Sequence, residues 1–113
     1  MIQVKRIYEQ PSKTDGYRVL VERLWPRGMT KEKANLYLWL KEIAPSPQLR
    51  QWYSHDTEKW DEFRKRYWAE LHQASAAVSQ LRKIHKLGNL TLVYAARDEE
   101  HNSAIVLKAY LEQ

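Results

Sequence analysis

The sequence contains no cysteine and only three glycines among its 113 residues. Without cysteine the chain forms no disulfide, has no thiolate nucleophile and cannot build a cysteine-ligated zinc or iron–sulfur site. It has no glycine-rich phosphate loop, and its histidines lack metal-ligand spacing, so we predict no metal site. No serine lies in a nucleophile-elbow motif. A functional site must therefore rest mainly on cationic and hydrogen-bonding side chains.

Long apolar runs are also absent, and none approaches the ~18 residues needed to cross a bilayer. No signal peptide is recognisable after Met1. We therefore expect a cytoplasmic protein with no membrane partner, which the lack of cysteine fits. The net charge of +5 favours anionic partners through long-range attraction. Because 14 acidic residues are mixed among 19 basic ones, much of this charge is explained by a solvated surface.

The apolar pattern predicts an α/β fold in a single domain over residues 1–113, since 43% of the residues are hydrophobic. The segments predicted as strands are 2–8, 19–21, a short stretch near 39–42, and 90–96. The loop between the first two strands is short for a parallel crossover, so they either pair antiparallel or are not neighbours. We expect a small three-layer domain with a mostly parallel sheet of about four strands.

Two amphipathic helices are predicted in the second half of the chain. Apolar residues recur every three or four positions over 57–87, which indicates one long helix that bends near Ser75. The segment 102–112 predicts a C-terminal helix. Shorter helical segments are expected after Thr30 and after Ser46, because both residue types cap free amides.

Polar and cationic residues follow the predicted strands, and parallel α/β sheets bind ligands beyond the carboxyl ends of their strands. Arginine grips phosphate or carboxylate through two parallel hydrogen bonds, and a tryptophan can stack on a flat ligand. We therefore expect a site for a small anionic ligand, such as a phosphate ester or nucleotide. The residues expected to bind it are Arg23, Trp25, Arg27, Lys41, Ser46, Arg97 and Asn102. Structural roles remain open: Arg23 could pair with Glu22 or Asp98, and Trp25 could pack in the core.

Two other classes of function are alternatives. In an enzyme, Asp98 or His55 would act as general base, although Asp98 could equally cap a helix. In a nucleic-acid-binding protein, clustered basic residues would lie beside exposed aromatic rings. Nucleic acid is not favoured, because Trp60 and Phe63 lie on the apolar stripe of the long helix. The residues themselves assign no cofactor, reaction or oligomeric state.

The run from Gly16 to Gly28, Gly-Tyr-Arg-Val-Leu-Val-Glu-Arg-Leu-Trp-Pro-Arg-Gly, resembles the YeaO-like family of uncharacterised bacterial proteins. The similarity continues through residues 39–46, then 90–96 and 102–107. The resemblance implies a small three-layer α/β cytoplasmic protein and supplies no activity. Ser103 occupies a position where the family commonly has histidine, so a catalytic role of that histidine would not transfer.

Overall fold

The computed structural model describes all 113 residues and contains one four-stranded, all-parallel sheet in the order β1-β4-β2-β3. The strands are β1 (Ile2–Arg6), β2 (Tyr17–Leu20), β3 (Leu38–Trp39) and β4 (Leu90–Tyr94). The last strand in the chain lies in the middle, where Leu92 is opposite both Val4 and Val19. β1 and β2 are therefore not neighbours, which settles the alternative left open by their short connection. The α/β class and the parallel sheet are confirmed.

The five α-helices are α1 (Lys31–Ala34), α2 (Pro47–Tyr53), α3 (Trp60–Gln73), α4 (Ser75–Leu87) and α5 (Ser103–Glu112). The long helical stretch is divided at Ala74, whose backbone leaves the helical region at ψ 44°. The break lies next to the predicted bend. Ser46 accepts a hydrogen bond from the Leu49 N–H at 3.1 Å, and Asn102 accepts one from the Ile105 N–H at 3.0 Å. These caps satisfy free donors and fix where α2 and α5 begin.

The third strand is shorter than the pattern 39–42 suggested. It ends at Trp39, and residues Lys41–Ile43 form a 3-10 turn. The alternating leucines before it satisfied the strand period, but the chain turns once Leu40 has reached the core, where it is 5% exposed. This turn brings the Ala44–Pro45 segment to the carboxyl edge of the sheet, beside the residues that follow β2.

The two faces of the sheet are covered unequally. On one face, Val19 and Leu92 pack in a large core with residues of α2, α3, α4 and α5. On the other face, Leu20 and Val93 pack in a small cluster with the segment 25–36, which contains only the one-turn helix α1. Each fully buried aliphatic side chain stabilises the fold by about 1.5–3 kcal/mol. The helix-covered face therefore carries most of the hydrophobic stabilisation. None of the helices combines the length and the apolar character that crossing a membrane requires.

A buried ion pair holds the thinly covered face. Asp15 and Arg18 are each 2% exposed, and Arg18 Nη1 lies 2.7 Å from Asp15 Oδ2. Lys5 Nζ lies 3.2 Å from the same carboxylate. Arg18 also donates two hydrogen bonds to the Ala34 carbonyl oxygen, so α1 is tied to β2. Burial alone would raise the pKa of Asp15, but hydrogen bonds from Ser12, Arg18 and Lys5 lower it below its ordinary value.

Candidate functional site

A cavity of about 440 Å³ opens at the carboxyl edge of the sheet, which is within the usual range of small-molecule sites. β2 and β4 end at this edge, and helix α5 begins here. The chain therefore meets the cavity at several points that are far apart in sequence. Its lining residues are Glu22, Arg23, Ala44, Pro45, Arg50, Tyr53, His55, Phe63, Ala95, Ala96, His101, Asn102 and Ser103.

Two arginines line this cavity from different elements. Arg23, just after β2, donates from Nη2 to the Ala44 carbonyl at 3.1 Å and from Nε to the Pro45 carbonyl at 3.4 Å. It forms no salt bridge with Glu22 or Asp98, the two partners considered from sequence. Arg50 lies on α2 with an exposed side chain that donates no hydrogen bond within the protein. Arg23 is thus positioned by backbone carbonyls, and Arg50 is the freer cation.

Glu22 contributes a carboxylate to the same cavity. Its Oε2 accepts a hydrogen bond from the Ala95 N–H at 2.9 Å, and its Oε1 has no hydrogen-bond partner. Burial raises the pKa of Glu22, while the hydrogen bond from Ala95 and the charges of Arg50 and His55 act in the opposite direction. The cavity therefore combines cations with one acceptor that retains free hydrogen-bonding capacity.

The start of α5 forms another part of the wall. Asn102 is 4% exposed, and besides capping the helix it donates from Nδ2 to the Asp98 carbonyl at 3.0 Å. Ser103 is the first helical residue, and its hydroxyl group has no hydrogen-bond partner. The first turn of a helix presents free N–H groups and the positive end of the helix dipole. This wall favours negative charge in the adjoining space.

Asp98 and His101 form a hydrogen-bonded pair beside the cavity. The Asp98 carboxylate accepts from the backbone N–H groups of Glu100 and His101 and lies 2.9 Å from His101 Nδ1. The hydrogen bond from Glu100 is the main reason that the pKa of Asp98 is lowered. His101 lines the cavity, and its ring is 5.2 Å from the Trp60 ring in an edge-on arrangement. Asp98 is therefore placed to orient His101 rather than to contact a ligand.

His55, which the sequence offered as a general base, also lines the cavity. Its side chain is exposed, and its backbone adopts a left-handed conformation with φ 58° in the connection between α2 and α3. His55 and Asp98 thus differ in placement, because only the histidine faces the cavity. No group of three or more histidine, aspartate or glutamate side chains is arranged to hold a metal ion.

Trp25 and Lys41 do not line the cavity. The Trp25 indole donates from Nε1 to the Met29 carbonyl at 2.7 Å, and its ring packs against Trp39 at 5.3 Å. This places Trp25 in the small cluster on the opposite face of the sheet. Lys41 Nζ lies 4.2 Å from the centre of the Trp39 ring, a cation–π contact. Trp25 therefore packs in the core, which is the alternative role considered from the sequence. Lys41 contacts Trp39 outside the cavity.

Ser46, Arg27 and Arg97 are also outside the lining of the cavity. The Ser46 hydroxyl caps α2 and donates to Glu70 Oε2 at 2.6 Å. Arg27 and Arg97 have exposed side chains without hydrogen bonds in the protein. Of the ligand-binding residues expected from sequence, the structure brings Arg23 and Asn102 together at the cavity.

Sequence reasoning missed Arg50 and considered Glu22 only as a partner for Arg23. Glu22 could have been found, because it follows directly on a buried strand at the edge where parallel sheets bind ligands. Arg50 carries no such signal. It lies on a short helix among exposed polar residues, and only the packing of α2 against the sheet edge brings it to the cavity.

The basic face of α3 is largely neutralised by its own acids. Arg64 forms an ion pair with Asp61, and Arg66 forms one with Glu62 at 3.0 Å. The Arg66 guanidinium also lies 4.2 Å from the centre of the Trp52 ring. The expectation that nucleic acid is not a favoured partner remains a prediction. The ion pairs on α3 agree with this expectation.

The comparisons with known proteins place the chain in an uncharacterised group. Residues 1–113 match the family model described as "Inactive DUF488-N3 subclade". The Uncharacterized protein YeaO of Escherichia coli K12 is 43% identical over 110 residues, which cover 97% of this chain and 96% of the relative. The Uncharacterized protein Rv3073c of Mycobacterium tuberculosis H37Rv is 44% identical over 110 residues, covering 97% and 92%. No solved structure matches.

Proposed function

The chain belongs to the DUF488-N3 family, within the subclade described as inactive, and we propose that it binds a small anionic ligand without transforming it. The ligand class is a phosphate ester or nucleotide, and the site is the cavity at the carboxyl edge of the sheet. The high identity to YeaO confirms the family resemblance noted in the sequence. Neither relative's name supplies a ligand, so the proposal rests on the geometry of the cavity.

The observation that carries the proposal is the convergence of Arg23, Arg50 and the start of α5 on one cavity. Arginine–phosphate hydrogen bonds are charge-assisted and roughly twice as strong as neutral ones. Helix amino ends bind phosphate through their free N–H groups. Because these three donor groups come from distant parts of the chain, the fold itself creates the positive site. Asn102 supports it by fixing the start of α5.

Binding without catalysis is supported by the state of the chemical groups. The Asp98 carboxylate is occupied by two backbone N–H groups and an imidazole, and its lowered pKa makes it a weak base. The chain has no cysteine to serve as nucleophile. The description of the subclade as inactive agrees with both observations.

Calorimetric titration at low salt tests the proposal, with inorganic phosphate and nucleoside monophosphates as probes. We expect saturable binding that weakens about tenfold in Arg50→Gln, the loss expected for one charge-assisted hydrogen bond. Arg27→Gln is the matched control, because it removes the same charge from an exposed position outside the cavity. No binding of any probe, or equal weakening in both variants, would refute the proposal.

A second candidate function is catalysis with His101 as general base. It is favoured by the 2.9 Å contact between His101 and Asp98, since a carboxylate can fix the orientation of a catalytic imidazole. Incubation of each bound probe followed by mass spectrometry would detect a product. Catalysis by His101 predicts that His101→Gln abolishes turnover and retains binding, and His55→Gln tests the other histidine in the same way. If the probes are unchanged after prolonged incubation, catalysis by His101 on these compounds is excluded.

A further inference from the structure

We infer that the ligand carries an N–H donor in addition to its anionic group, and that Glu22 receives this donor. The inference rests on the proposed function and specifies the class of ligand that the same cavity selects. The Glu22 carboxylate lies among the cationic side chains that line the cavity. A carboxylate weakens the binding of a ligand that carries only a phosphate, because the two negative charges repel each other.

Glu22 retains free accepting capacity in the protein. Its only hydrogen bond comes from the Ala95 N–H to Oε2, and Oε1 has no partner. No salt bridge joins it to Arg23, because that guanidinium is turned to the carbonyl oxygens of Ala44 and Pro45. Glu22 is partly exposed, and its unpartnered Oε1 is accessible from the cavity that the residue lines. In the free protein Arg50 and His55 act on this carboxylate through their charges and form no hydrogen bond with it, so a ligand in the cavity meets Oε1 as a free acceptor.

The positions of the groups define a ligand with two unlike ends. Glu22 is tied to the segment after β4, whereas Arg50 lies on α2 and Ser103 lies at the start of α5. All three line the same cavity. A phosphate near Arg50 and α5, joined to an amine or amidine near Glu22, places each end of the ligand beside groups of opposite charge. The shared chemistry is a phosphate compound with an N–H donor, found in guanine nucleotides and in aminoalkyl phosphates.

Two matched pairs of probes test the inference by calorimetry. Guanosine and inosine monophosphate differ by the exocyclic amino group, and 2-aminoethyl phosphate differs from ethyl phosphate by an amine. We expect the amino-bearing member of at least one pair to bind about tenfold more tightly to the wild type, as for one hydrogen bond to a charged acceptor. The pair that shows the preference identifies the source of the donor.

Glu22→Gln is the matched variant, because its amide oxygen can still accept from the Ala95 N–H while its NH₂ group removes the negative charge. We expect the preference to fall below twofold in this variant, with circular dichroism confirming an unchanged fold. Equal affinities within both pairs in the wild type overturn this inference and leave the proposed function intact. A preference that survives Glu22→Gln also overturns it. No binding of any probe overturns the proposed function itself.

Discussion

The Glu22 carboxylate accepts a hydrogen bond from the Ala95 N–H at 2.9 Å, and this contact joins the segments that follow the two central strands. β2 and β4 are paired from Tyr17 and Leu90 to Leu20 and Val93, and the Val21 N–H still donates to the Val93 carbonyl before the two chains separate. A side-chain carboxylate therefore replaces regular pairing at the edge where the cavity opens. Glu22 thus forms a structural hydrogen bond through one carboxylate oxygen, and its other oxygen has no partner in the protein.

The raised pKa of Glu22 predicts a stability that falls as the pH rises. Below its ordinary pKa of 4.5 the carboxyl group is protonated in both states. Between that value and the higher pKa of the folded protein, the unfolded chain ionises first, so the folded state loses relative stability. Glu22→Gln cannot ionise. Denaturant unfolding from pH 4 upward should show the unfolding free energy of the wild type decreasing relative to this variant, and a constant difference would contradict the assignment.

Asp15→Asn is predicted to be strongly destabilising. It leaves the buried Arg18 guanidinium without its charge partner at 2.7 Å, a change that typically costs about 3–5 kcal/mol. Lys5→Gln is the matched control, since Lys5 is more exposed and lies farther from the carboxylate at 3.2 Å. Lys5→Gln should lower the free energy of unfolding by less than about 1 kcal/mol. Urea unfolding measures both, and similar losses would show that the buried pair has no special role.

The lowered pKa of Asp15 adds a pH dependence of opposite sign to that of Glu22. Its contribution to stability is complete above its ordinary pKa of 3.8 and is lost as the pH falls through the lower pKa of the folded protein. The unfolding free energy of the wild type should therefore fall more steeply as the pH decreases below 3.8. An Asp15→Asn protein whose acid transition has the same slope would contradict this contribution.

Gly16 and Gly28 both have positive φ, but only Gly16 is closely approached by another part of the chain. Their φ values are 64° and 76°, so alanine is strained at either site, and at Gly16 the ψ of −127° also lies outside the left-handed helical region. A Cβ at Gly16 would also overlap the Asn89 carbonyl oxygen, which accepts the backbone hydrogen bond of Tyr17, whereas nothing lies close to Gly28. Gly16→Ala should therefore lower the melting temperature clearly more than Gly28→Ala. Equal shifts would mean that the Asn89 contact yields easily.

Local patterns predicted much of the fold because they depend on neighbours in sequence. The cap at Ser46, the C-terminal helix over 102–112, the break of the long helix near Ser75 and the buried strand at 90–96 are all visible in this way. Strand order was not, since the insertion of β4 between β1 and β2 depends on contacts over 70 residues or more. The candidate site was predictable only in part. Arg23 could be identified from its place directly after a strand.

Two residues of the site illustrate why side-chain direction was not predictable. Trp25 follows the same strand as Arg23, but its ring turns to Trp39 and the small core because that burial removes more apolar surface from water. Arg50 is indistinguishable in sequence from any exposed helical arginine. Its approach to the cavity depends on how α2 packs against the rest of the fold.

Asn102→Asp is predicted to weaken both phosphate binding and stability while leaving α5 capped. Asparagine and aspartate cap helices about equally well, so α5 should remain formed. The change removes the Nδ2 donor to the Asp98 carbonyl and adds a negative charge at the cavity wall. Phosphate-containing probes should bind more weakly, and the melting temperature should fall because the buried carboxylate faces the Asp98 carbonyl oxygen without a donor between them. Unaltered affinity in a folded Asn102→Asp protein would argue that the anionic group does not lie near α5.

The location of the site can be measured directly by titrating ¹⁵N-labelled protein with guanosine monophosphate and following backbone amide resonances. We expect the largest shifts at Arg23, Ser103 and Ala104, at the carboxyl edge of the sheet where the cavity opens. Shifts concentrated on the segment 25–29 or on the outer face of α3 would contradict this location of the site, as would a spectrum that does not change.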